Sequence, residues 1–142
     1  MSTQNFSNHS RMHAPFHYVS APLVIIGLIG SIVNLVNCQP ENYYSASLLV
    51  LVFFLLLVIG SMVRTYALKA QDRAIRAEEN LRHFILTGKP FDSRLNIRQI
   101  IALRFASDEE LPALAKKAAE EKLRSKEIKQ QIKDWREDNY RI

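Results

Sequence analysis

The sequence is poorest in helix breakers where it is richest in apolar residues. No proline occurs between Pro40 and Pro90, and Gly60 is the only glycine between Ser45 and Thr87. A helix begun there meets no chemical reason to stop before Gly88 and Pro90. Formal charge is nearly missing from Ala21 to Val63, where Glu41 is the one charged residue. The single cysteine, Cys38, excludes an intrachain disulfide and a cysteine-built metal site. A paired nucleophile and base, a Gly-rich phosphate loop and a metal-ligand cluster away from the N-terminus are also missing. These gaps argue against an enzyme and call for no cofactor.

Hydrophobicity is divided between two halves, so the mean hydropathy of −0.08 describes neither. The run SASLLVLVFFLLLVIGSMV passes at Arg64 into TYALKAQDRAIRAEENLRHFILT without interruption. We read it as one helix that crosses a membrane and continues as a charged stalk, roughly 27 Å of apolar length followed by roughly 35 Å. Val19–Val36 reads as an earlier span, with Pro22 near its start. The connection NCQPENYY is a short loop between antiparallel helices and carries no Lys or Arg, while both flanks do. By the positive-inside rule both termini then lie in the cytoplasm. Tyr18, Tyr43, Tyr44 and Tyr66 fall at the expected interfaces.

The chain holds 19 Lys/Arg against 14 Asp/Glu. The basic excess lies in residues 64–104, next to the second span, while residues 105–142 are balanced. Such a collar suits anionic lipid headgroups and membrane topology better than nucleic acid.

Four segments follow: residues 1–18, loosely ordered; 19–64, a transmembrane hairpin; 65–88, a stalk helix; and 89–142, a small helical head. The fold class is all-α. Within the hairpin, Gly27, Ser31 and Asn34 share a face of the first span, and Gly60 and Ser61 lie at a matching depth on the second. Small residues at one depth let helices approach, and Asn34 would hydrogen-bond across. On the stalk, Ala67, Ala70, Ala74, Ala77, Leu81 and Phe84 follow the 3–4 spacing of a coiled-coil seam. Asp72–Arg76 and Glu78–Arg82 are four-apart pairs on its other sides. The seam is the expected docking face, for the head and for a partner.

The head reads as three short helices. Asn96 with Gln99 makes a capping box before Ile97, Ile100, Ile101 and Phe105. Ser107 with Glu110 makes a second before Leu111, Leu114 and Ala118, and Asp108-Glu109-Glu110 suits a helix N-terminus. A last helix from Ser125 carries Ile128, Ile132 and Trp135. His9, His13 and His17 recur every fourth residue and are the weak metal candidates, although Pro15 interrupts a common helix.

The stretches ALKAQDRAIRAEENLRHF and IRQIIALRFASDEELP, behind two spans, resemble a family of small bacterial inner-membrane proteins of unknown function. Some of its members carry an ABC transporter permease label. Two spans cannot enclose a permease pathway, and the resemblance implies no mechanism. What the residues themselves suggest is a non-enzymatic accessory subunit of a larger inner-membrane assembly, whose partner is another membrane protein or a second copy. A membrane-tethered nucleic-acid module is the alternative. Against it, the last helix sets Lys126, Lys129, Lys133 and Arg136 against Glu127, Asp134, Glu137 and Asp138.

Overall fold

A computed structural model describes residues 4–7 and 13–138. The described residues are all-α, with five α-helices and no strand. They are α1 (Ala21–Asn37), α2 (Tyr43–Thr87), α3 (Ile97–Leu103), α4 (Leu111–Glu120) and α5 (Ser125–Gln131). The chain divides into two compact units, one of residues 12–67 and one of residues 1–11 with 68–142.

The first unit is the hairpin. Its leading helix begins before Val19: Pro15–Ser20 forms a π-helical turn that runs into α1. Residues 15–18, expected to be loose, are therefore helical. Proline suits this first turn, where its missing N–H would have had no partner anyway. The Ser20 hydroxyl donates to the Pro15 carbonyl at 3.2 Å, and the Ala21 N–H reaches back five residues to Phe16. A 3₁₀ turn, Pro40–Asn42, makes the connection, and α2 then runs unbroken for 45 residues. Two helices, Pro15–Asn37 and Pro40–Thr87, are long and apolar enough to span a membrane. At the open end of the hairpin the Arg64 guanidinium lies 4.9 Å over the Phe16 ring.

Small residues do bring the spans together, but in a different pairing from the expected one. A side chain on Gly27 would collide with the Phe53 ring, so this glycine is the notch that receives it. Nothing lies near Gly60 that a side chain would meet. Ser31 and Ala46 are the buried residues of this unit. The Ser31 hydroxyl donates to the Leu28 carbonyl of its own helix, 2.8 Å away. Asn34 and Ser61 are exposed, and the Ser61 hydroxyl donates to Val58 of its own helix. Gly60, Ser61 and Asn34 are thus removed from the packing set, which becomes Gly27 against Phe53 with Ser31 and Ala46. The reason is volume: a ring fills a glycine notch, whereas two facing glycines would leave a gap.

The second unit folds the head against the part of α2 from Leu68 onward. Gly88 ends that helix in the left-handed region at φ 71°, with its N–H on the Phe84 carbonyl. The Asn96/Gln99 capping box forms in full, with reciprocal bonds of 3.1 and 2.8 Å. The core joins Phe91, Leu95 and the inner faces of α3, α4 and α5, with Leu103, Phe105, Leu111 and Ile128 its largest fully buried side chains.

Two expected helix boundaries differ. Ser107 does not cap α4 with its side chain; its N–H is taken by the Asp134 carbonyl at 3.1 Å, and the helix starts at Leu111. Pro112 therefore falls in the first turn, where it costs least. The last helix stops at Gln131, because Ile132 turns to extended backbone. Trp135 leaves the helix and pairs with Ala106 in an isolated antiparallel bridge, its ring 5.2 Å from that of Phe105. The C-terminal segment then meets the N-terminal one, the Asp138 N–H donating to Gln4 Oε1 at 2.9 Å.

Candidate functional site: the stalk face and its ion cluster

The face of α2 that carries the head is not the alanine seam. Ala67, Ala70, Ala74, Ala77, Leu81 and Phe84 are exposed, Leu81 by 60% and Phe84 by 51%. The face that turns inward is Ile75, Glu79, Arg82 and His83, also spaced by threes and fours. At 3.6 residues per turn the two faces lie roughly 150° apart around the helix. The expectation that the head docks on the seam is therefore corrected. Alanines offer close approach but little apolar area, and the head draws more from ion pairs and one aromatic stack.

Arg82 is the pivot of the true contact. Its guanidinium donates to Glu79 at 2.9 Å on the same helix, and to Asp108 and the Ala106 carbonyl, at 2.7 and 2.8 Å, on the head. One planar fork thus ties the stalk to the turn before α4. Arg136 approaches Glu79 from the other side at 3.6 Å. The Arg104 guanidinium, in the core end of the cluster, pairs with Asp138 at 2.9 Å and lies 4.4 Å over the Phe105 ring. Burial pushes the Glu79 carboxyl above its ordinary value, and Arg82 first, then Arg136 and Arg104, hold that rise in check. Below Arg82, His83 stacks on Phe91 with centroids 4.4 Å apart, and Asn80 Oδ1 accepts the Phe91 N–H at 2.9 Å.

A cavity of about 280 Å³ opens beside this cluster, lined by Ile75, Glu79, Arg104, Arg136 and Asp138. Glu78 and Glu137 also line it, and Glu79, Arg104, Arg136 and Asp138 each have an opposite charge beside them. Within the cluster, the guanidinium and carboxylate groups hold the head to α2.

The acidic triplet does more than meet a helix dipole. Asp108 binds Arg82, and Glu110 Oε2 accepts the Lys133 and Asp134 N–H groups at 3.1 and 3.4 Å. Arg82 pairs with Glu79, three residues away, and not with Glu78, the four-apart partner expected for it; the sequence signal for this face is the spacing of Ile75, Glu79 and Arg82. Of the N-terminal histidines, His9 lies outside the described residues. His17 Nδ1 is 3.0 Å from the His13 carbonyl. Among the described residues no group of three or more His, Cys, Asp and Glu side chains is placed to hold a metal ion.

Residues 1–142, the whole chain, match a family of unknown function, DUF6526. The chain belongs to that family. No curated protein and no solved structure matches it. For this DUF6526 member, then, the function must be read from its two apolar helices, its ion-tied head and the surfaces these leave open.

Proposed function

We propose that this protein is a non-enzymatic integral membrane protein of the bacterial inner membrane that binds another membrane protein as an accessory subunit. Both termini lie in the cytoplasm in this reading, and anionic headgroups meet the basic residues that follow the second span. The partner docks on the alanine seam of α2. The observation that carries the reading is the exposure of Leu81, Phe84 and Ile85, the last by 73%, on a helix whose opposite side is covered by the head. Large apolar residues left bare beside a well-packed core mark an interaction surface. The run of alanines before them lets a second helix come close.

The test places a photo-crosslinking residue at Ala74 and, as a control, at Arg76, and isolates the products from membranes in mild detergent. A defined adduct from Ala74 alone, with another membrane protein or a second copy, supports the reading. Equal labelling from both positions, or a lone monomer that shifts duplex DNA, overturns it.

A further inference from the structure

A second surface carries a different chemistry. Between the start of α3 and the turn joining α4 to α5 lies an opening of about 580 Å³, within the range of small-molecule sites. Its charged lining is all of one sign: Arg94, Arg98, Lys122, Arg124 and Lys126. Arg94 is held by Asp92 at 2.6 Å. The other four have no carboxylate within 4.0 Å among the described residues, whereas Arg82, Arg104, Lys116 and Arg136 of the same unit each have one.

The neutral polar groups of the opening are already engaged in holding it. The Gln99 amide donates to the Leu123 carbonyl at 2.9 Å, and the Ser125 hydroxyl to the Arg98 carbonyl at 2.9 Å. Glu127 is occupied at the rim, accepting the Arg124 N–H at 2.6 Å. Besides the side-chain amide N–H of Asn96, the donors left over are cationic. Lys122 adds a further sign of a placed charge. It stands at φ 53°, in the left-handed position that closes α4, with the Leu123 N–H bonded to the Ala118 carbonyl behind it. Glycine is the residue that this position ordinarily takes.

We propose that this opening binds a small phosphate-bearing ligand, either free or as a lipid headgroup. Arg98 and Arg124 supply planar forks for phosphate oxygens, and Lys122 and Lys126 supply point charges. The proposal stands apart from the seam on α2 and does not depend on it.

The test uses the full chain in a neutral detergent. Inorganic pyrophosphate is titrated calorimetrically, and native mass spectrometry compares retained phosphatidylglycerol with phosphatidylcholine. Lys122→Gly removes one charge while suiting the left-handed backbone, so a loss of binding there cannot be put down to misfolding. Arg124→Gln removes another and keeps the N–H that Glu127 accepts. Each is expected to weaken binding about fivefold and the pair more than tenfold, with Lys116→Gln on the outer side of α4 unchanged. That pattern with pyrophosphate assigns a free phosphate ligand. The same pattern with phosphatidylglycerol alone assigns a headgroup. No binding of either, or binding that Lys116→Gln weakens as much as Lys122→Gly, overturns the proposal.

Discussion

The ring of Phe53 occupies the space that a side chain on Gly27 would need. A glycine and an aromatic, one on each span, thus set how near the two helices come. Gly27→Leu should force them apart and cost about 1–3 kcal/mol by overpacking. Gly60→Leu, which meets open space, should cost under about 0.5 kcal/mol. Thermal unfolding in detergent distinguishes the two, and equal losses would undo this pairing.

Arg82 should be the most sensitive position of the stalk. Removing it leaves buried Glu79 without its hydrogen-bonded partner and strips the Ala106 carbonyl of its donor. Breaking such a pair costs about 3 kcal/mol. Arg82→Ala should therefore expose the head to limited proteolysis. Ala74→Glu, on the exposed seam, should cost under about 0.5 kcal/mol and leave the digestion pattern intact. If the substitutions exchange effects, the docking face assigned here is wrong.

Two carboxyls should respond to pH in opposite directions. Glu79 binds its proton more tightly folded than unfolded, so as pH falls through its raised value the folded state gains relative to the unfolded one. Asp92, with Arg94 hydrogen-bonded to it, is lowered from 3.8 to about 2. Its contribution is fully present above 3.8 and is lost as pH falls towards 2. Carboxyl chemical shifts followed from pH 7 to 2 should show Glu79 titrating above 4.5 and Asp92 well below it. The reverse order would contradict the burial of Glu79.

The connecting loop should face away from the cytoplasm. In a Cys38→Ser background, a cysteine introduced at Asn42 should react with an impermeant reagent in intact cells, and one at Arg76 should not. Labelling of Arg76→Cys alone would invert the orientation.

Much of the architecture is legible in the residues. The absence of proline from Ser45 to Thr87 announces α2, Gly88 its end, and the Asn96/Gln99 pair the start of α3. The docking face is not, for a physical reason. Alanine favours helix as strongly as it favours close packing, so an alanine stripe looks the same whether covered or bare. Conversely Glu79 and Arg82 look like solvated partners, because their burial depends on Asp108 and Ala106, more than twenty residues away. The basic opening escapes notice for a similar reason. Arg94, Arg98, Lys122, Arg124 and Lys126 come from two separate stretches, one with a net positive charge and one with balanced charge. Only the fold brings the two stretches together around one opening.

The bond from the Asp138 N–H to Gln4 Oε1 constrains something larger than the head. Two segments that touch occupy one compartment. Gln4 precedes the first apolar helix and Asp138 follows the second. A membrane chain joined in this way would cross the bilayer an even number of times, which agrees with two helices long and apolar enough to span one. Which compartment holds the pair is a separate matter of charge, and a reporter fused to either end must give the same answer.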